Sequence, residues 1–572
     1  MKNGRPAGCL TLMLHAHLPY VVHHGTWPHG MEWLLEATAE TYLPLLRVLG
    51  NLERDGLRLA ANVNLSPVLL EQLRHPAFQA EFPRYARRKI QAAQEDEAYF
   101  RQSGEEHFAC LARRWNRYYE EALAAFEALG GDVVEGFRRF EESGQIEIVS
   151  CCATHGYLPL LGTDESVRAQ VETGVATHTR HLGRAPRGMW IPECGYRPAG
   201  NWQTPVVPQG RERAGAARPR MGIEQALAEA GIGYFFVDTH LVEQALQFTP
   251  YEPAVHGGAV GAAAALPEPG RPSPSVCRTY VVEGPSAGRV TAFPRDPRTG
   301  VQVWSGTRGY PGDPNYLDFH KKRWPGGHRY WQVTEARADL EMKTPYYPER
   351  AAARTRAHAE HFVSVVYDSL RESLNADRPP VLSAPFDAEL FGHWWFEGPS
   401  WLEQVARIVA EDDFPIALMT GGEYAERVPA EGSLALAEGS WGKNGGHEVW
   451  LNERTAWTWA EIYAAEEQVR TLASEGRWRE DRLGRRIAQQ MCRELLLLES
   501  SDWQFLITTE AARDYAEGRF TTHLEQFREV DQAWQEWAAT GILRPETENR
   551  LAQIEERDSI FADVDPGLWE RR

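Results

Sequence analysis

Two segments of the chain place a carboxylate directly after an apolar run. One is Trp190-Ile191-Pro192-Glu193-Cys194-Gly195-Tyr196. The other is Ala384-Pro385-Phe386-Asp387-Ala388-Glu389-Leu390-Phe391-Gly392-His393-Trp394-Trp395. Two carboxylates that face one bond divide the labour of breaking it. One attacks the carbon, and the other protonates the departing oxygen. That is the layout of glycosidic-bond cleavage, and a retaining outcome needs the carboxyls about 5–5.5 Å apart. The proton donor must keep its proton near neutral pH. Desolvation by aromatic neighbours such as Trp394 and Trp395 is a means to that end. Read singly, each acid also fits a helix cap or an ion-pair partner.

His15-Ala16-His17 follows the first apolar run. Two histidines at this spacing suit a catalytic metal, completed by His155 and by Asp238 or Asp387. They equally suit hydrogen bonding to hydroxyl groups and to the two acids, or simple loop packing. Trp304, Trp441, Trp450 and Trp503 lie in the segments QVWSG, GSWGKNGG, EVWLNE and SSDWQF. Beside Gly-rich turns, indoles are expected near the surface, where their faces stack on the apolar faces of sugars. The alternative for each is core packing.

These residues must be positioned by something, and the apolar runs indicate what. GCLTLML at 8–14 reads as a buried strand. Similar runs are LRLAANVN (57–64), QIEIVS (145–150), GMWIP (188–192), IGYFFVD (232–238), VQVW (301–304), Val381–Asp387 and PIALMT (415–420). Helical patterns such as 222–230 and 347–374 separate many of them. Alternating strands and helices give a parallel sheet, and seven or eight units suggest a closed β/α barrel. The polar and aromatic residues fall at the C-terminal ends of the runs, where such barrels carry their active sites. Residues 75–142, charged, aromatic and helical, are too long for a plain crossover and predict a helical insertion. Residues 201–220 and the Gly/Ala/Pro-rich 250–290 predict surface loops, the second mobile. Beyond residue 425 amphipathic helices dominate, clearest at 455–476 and 482–499. The expected organisation is a catalytic barrel of 1–74 and 143–424, an insertion at 75–142 and a helical domain at 425–572.

The bulk numbers narrow the classes of function. A chain of 572 residues with 43% hydrophobic and 25% charged residues has room for a large core. Its net charge of −19 argues against nucleic acid or an anionic membrane as partner, and suits a neutral substrate. The 20 Trp, 20 Tyr and 21 Phe suggest roles beyond core filling, such as stacking on sugars, with a Trp-rich core as the alternative. Seven cysteines with no CxxC spacing predict neither a disulfide framework nor a structural zinc site. No run matches a membrane span or a signal peptide, so a cytoplasmic location is expected. A monomer is the default, since no dimerisation device stands out.

Five ordered motifs together resemble glycoside hydrolase family 57. They are HAHLPY, GQIEIVSCCATHGYLPLL, WIPECGY, FDAELFGHWW and ELLLLESSDWQFL. The resemblance runs from residue 9 to about residue 506, and it implies roles residue by residue. Glu193 matches the nucleophile and Asp387 the general acid/base. His17, His155 and His393 match residues that orient hydroxyls or tune the acids, and Asp502 and Trp503 fall in the fifth motif. Within the family the similarity is greatest to the branching subgroup acting on α-1,4-glucans. Segments such as GYFFVDTHLV, QVWSGTRGYPGD and EGSWGKNGGHEVWLNE carry it. That subgroup implies a (β/α)7 barrel with a helical insertion and an all-α C-terminal domain. It implies no cofactor and no metal. It further implies glucan contacts at Trp304, Trp395, Trp441, Trp450 and Trp503, and a lid tyrosine matching Tyr251. Rival readings are a 4-α-glucanotransferase or α-amylase of the same family, a metal-dependent hydrolase using His15 and His17, and a glucan-binding protein without activity.

Overall fold

The computed structural model describes residues 8–243, 274–284, 288–305, 308–335, 337–371, 373, 378–411 and 415–571. Its strands are β1 (Gly8–Ala16), β2 (Ala61–Leu65), β3 (Ile146–Val149), β4 (Gly188–Met189), β5 (Gly200–Trp202), β6 (Arg218–Arg220), β7 (Tyr234–Val237), β8 (Tyr280–Glu283), β9 (Arg289–Pro294), β10 (Val381–Asp387) and β11 (Ile416–Leu418).

Seven of them close a ring of parallel neighbours in the order β1-β2-β3-β4-β7-β9-β10 and back to β1. Single parallel bridges complete two of the seams, Ser150 with Met189 and Arg295 with Ser383. The fold is therefore a (β/α)7 barrel. Its strands are buried on both faces, which is why β1 reads as a continuous apolar run rather than an alternating one. The eighth candidate, PIALMT, forms β11. Among the described residues it pairs with Gly8–Leu10 of β1, while β2 takes the later part, Met13–Ala16.

Two strand expectations are corrected. VQVW is not a strand but the end of the helix Pro297–Trp304. Asp296 caps that helix by accepting from the Thr299 amide at 2.7 Å, with Pro297 at its first position. These start signals outweigh four residues of alternation. The true sixth barrel strand is β9, hidden between Gly/Pro-rich stretches. The loop expected at 201–220 is flanked by the antiparallel pair β5–β6. Of the loop at 250–290, residues 250–273 lie outside the described residues, and the rest contains β8, antiparallel to β9.

The insertion region holds the helices Pro76–Gln102, Glu106–Ala128 and Val133–Glu142. Phe78, Phe82 and Phe126 pack between the first two, with Phe82 and Phe126 4.4 Å apart at their ring centres. After the barrel come the helices Ala456–Glu475, Arg482–Leu498, Asp502–Thr509, Arg513–Thr540 and Pro545–Arg557. A buried polar knot ties them to the loop after β1. His24 Nε2 lies 2.6 Å from Asp558, and His523 Nδ1 lies 3.0 Å from Glu494. No helix among the described residues is long and apolar enough to cross a membrane.

Candidate active site

The register of the barrel sets the rim. His15 lies beside Asp387 on β10 and beside Asn64 on β2. Glu193 follows β4 and Asp238 follows β7. Arg295, which the sequence reading missed together with its strand, follows β9.

Glu193 sits in a tight turn with φ 59° and ψ 23°, and Cys194 after it also has positive φ, 50°. A left-handed non-glycine residue costs on the order of 1–2 kcal/mol, and such strain concentrates where a side chain must be aimed. Trp441 holds the turn in place. Its backbone amide donates to the Glu193 carbonyl at 2.9 Å, and its indole Nε1 donates to Glu193 Oε2 at 2.5 Å. Burial raises the Glu193 carboxyl to about 8 against the Trp441 bond, and the charges of Asp387 and Asp502 add to the shift. Asp387 is raised to about 8 as well, first by burial and then by the charge of Glu389, with Arg295 opposing. The charge of Asp387 is felt at Glu193, so ionisation of one resists ionisation of the other. The indole N–H favours the ionised form of Glu193, whereas no hydrogen bond among the described residues reaches the Asp387 carboxyl. The hydrogen bonding thus favours the charge on Glu193 and the proton on Asp387.

His15, His17 and His155 stack on one another, with His15 in register with Asp387. Asn64 donates its amide to the Val149 carbonyl at 2.9 Å, which leaves its oxygen to accept from His15 Nδ1 at 2.7 Å. Burial drives His15 down to about 3 and His155 well below its ordinary value, so both rings are neutral. His15 Nε2 must then accept from His155 Nε2, 3.0 Å away, and Ser501 Oγ donates to His155 Nδ1 at 2.8 Å. His17 reaches Ser66 through Nδ1 (2.9 Å) and Asp502 through Nε2 (3.0 Å). Despite its burial, Asp502 is held below the ordinary carboxylate range by His17 and Ser500. His17, His155 and Asp502 do gather ligand atoms within 4.8 Å. The His17 and His155 rings, however, stack at 4.0 Å and 15°, so their in-plane lone pairs run parallel rather than converging. Every ring nitrogen of His15, His17 and His155 is already engaged within the protein. This is a poor metal site and a rigid wall.

The aromatic candidates separate into two groups. Trp304 and Trp394 are partly exposed, with ring centres 6.1 Å apart. Trp441 lies against Glu193. Trp395, Trp450 and Trp503 are corrected from glucan platforms to packing residues, since each is at most 1% exposed. Trp395 packs with Tyr310, Tyr316, Phe391 and Trp401. Trp450 stacks on Tyr157 at 4.2 Å, and Trp503 donates to the Leu497 carbonyl. Tyr251 lies outside the described residues. His393 donates from Nδ1 to the Glu40 carboxylate, 2.9 Å away, and Glu40 also pairs with Arg329.

Glu40 belongs to a π-helical turn, Thr38–Tyr42, against which the loop after Asp387 is pressed. Gly392 marks the closest approach. Its φ is 116°, and a Cβ there would meet the Glu40 carbonyl oxygen at 1.8 Å. Gly392→Ala is expected to destabilise the fold by about 3 kcal/mol and to lower activity with it, as read by thermal unfolding and a turnover assay. Sequence gave no signal for this turn, because π-turns follow tertiary contacts rather than a local pattern.

Residues 11–437 match glycosyl hydrolase family 57, and residues 461–569 match the C-terminal region of 1,4-alpha-glucan branching enzymes. A 1,4-alpha-glucan branching enzyme of Thermococcus kodakarensis is 39% identical over 564 residues, covering 98% of this chain and 78% of its own. The crystal structure of a GH57-type branching enzyme from Pyrococcus horikoshii is 36% identical. It superposes with a TM-score of 0.87, covering 99% of this chain and 97% of its own. The alpha-amylase AmyC of Thermotoga maritima is 29% identical with a TM-score of 0.80, covering 99% of both chains. The chain belongs to glycoside hydrolase family 57.

Proposed function

We propose that the protein is a 1,4-α-glucan branching enzyme acting through Glu193 and Asp387. The observation that carries the reading beyond the family is the match of residues 461–569 to the branching-enzyme C-terminal region. The helices there and just before them are part of the site, since Asp502 meets His17.

In the first step Asp387 gives its proton to the α-1,4 glycosidic oxygen while the Glu193 carboxylate attacks the anomeric carbon. The C–O bond breaks, the shortened chain leaves as an alcohol, and a covalent glycosyl-enzyme remains. In the second step the Asp387 carboxylate takes the proton of a 6-hydroxyl on an acceptor chain. That oxygen attacks the anomeric carbon, forms the α-1,6 bond and frees Glu193. Burial keeps the proton on Asp387 for the first step and makes its carboxylate the stronger base for the second, while the indole N–H of Trp441 favours the ionised form of Glu193. Trp304 and Trp394 offer indole faces for the glucan chain.

The test is incubation of the purified protein with amylose, followed by proton NMR. New α-1,6 linkages with few new reducing ends are expected. Reducing ends without α-1,6 linkages would replace the reading by an α-amylase, the activity named for AmyC.

A further inference from the structure

Two residues past Asp387 stands a second buried carboxyl, Glu389, for which neither step above has a use. Its environment differs from that of Asp387 in one respect. Tyr42 donates its hydroxyl to Glu389 Oε1 at 2.6 Å, and the His17 amide donates to the same oxygen at 3.2 Å. Both donors are themselves fixed. Tyr42 closes the π-turn that packs on Gly392, and His17 is held by Ser66 and Asp502. The Tyr42 hydroxyl, far too weak an acid to give up its proton in this buried setting, keeps a hydrogen to donate to a Glu389 carboxylate. Glu389 thus has two donors that stabilise its anion, and Asp387 has none among the described residues.

We propose that Glu389 is a positioning residue that keeps the proton on Asp387: Tyr42 and His17 hold it as the anion of a neighbouring carboxyl pair.

Two carboxyls that share a buried space lose their protons in two separate steps, and the better-solvated anion forms first. Hydrogen bonds decide the order here, so Glu389 ionises first and its charge resists the ionisation of Asp387. The directions agree: Glu389 is raised to about 7, chiefly by burial and against its hydrogen bonds, and Asp387 to about 8. The other charged groups around the pair are Glu193 after β4 and Arg295 after β9. The first opposes ionisation of Asp387 and the second favours it. His15, in register with Asp387, is neutral. His17 faces Glu389 through its backbone amide, and its ring is paired to Asp502. The inference rests on the reading of Asp387 as the acid.

The experiment is the pH profile of kcat/KM for Glu389→Gln. Glutamine keeps an oxygen for Tyr42 and His17 but removes the charge. The basic limb of the profile is expected to move down by about one pH unit, with the melting temperature unchanged. Tyr42→Phe weakens the Glu389 anion without touching its charge, and is expected to shift the limb in the same direction by less. A basic limb that stays in place in both variants, whatever happens to kcat, overturns the proposal and leaves Glu389 a packing residue. The pH profile of Asp387→Asn on glucan, where the leaving oxygen needs a proton, separates the two readings. Loss of the basic limb in that variant upholds Asp387 as the acid regardless of Glu389. Persistence of the limb removes the acid and the proposal together.

Discussion

Glu193→Gln is expected to lower glucan transfer by about 10⁴-fold or more, with binding of maltooligosaccharides held within a few-fold. Glutamine fills the same volume and its oxygen still accepts from the indole of Trp441, so the strained turn keeps its anchor. What disappears is the electron pair that forms the covalent intermediate. Binding is read from quenching of tryptophan fluorescence, since Trp441 reports directly on this carboxylate. Turnover is read from α-1,6 linkages formed. Residual transfer above about 1% of the parent rate would take the nucleophile's role away from Glu193.

Asp387→Asn is expected to cost about 10²–10⁴-fold on glucan, the usual worth of a positioned acid/base. The loss should depend on the leaving group. With a glycosyl fluoride, whose departure needs no proton, the first step survives and fluoride appears as a burst before the slow second step. The pH dependence has a definite sign. Asp387 works protonated, and burial followed by the Glu389 charge raises it to about 8. Activity of the parent therefore falls as pH rises through that value, and the variant loses this limb. Equal losses on glucan and fluoride, with the limb intact, would exclude Asp387 as proton donor.

Much of this site was legible before any coordinates. Each of the two acids ends a recognisable apolar run, and parallel strands put such ends on one rim. The histidines of HAHLPY and CCATHGY follow the same logic. What could not be read falls into two kinds. Val301-Gln302-Val303-Trp304 alternates like a strand, yet the Asp296-Pro297 start signal had already committed it to a helix. Its misassignment hid β9, and with it Arg295. Trp450 and Trp503 sit near polar turns in sequence, yet they are covered by Tyr157 and Arg519 from distant segments. No local window contains that burial. Glu40, Tyr42 and Glu389 belong to the same class. Their importance lies in a π-turn meeting the loop at Gly392, a contact between residues some 350 positions apart in the chain.

Trp441 and Asp502 come late in the chain, far beyond Glu193 and Asp387, yet one aims the first acid and the other anchors the histidine wall. During synthesis the barrel strands leave the ribosome first, with both carboxylates already in place. A nascent chain that stops short of residue 502 has its acids but neither the complete wall nor, if it stops before 441, the indole that orients Glu193. A chain cut between residues 387 and 441 is therefore expected to keep both carboxyls and to lack the indole and the aspartate that hold their surroundings.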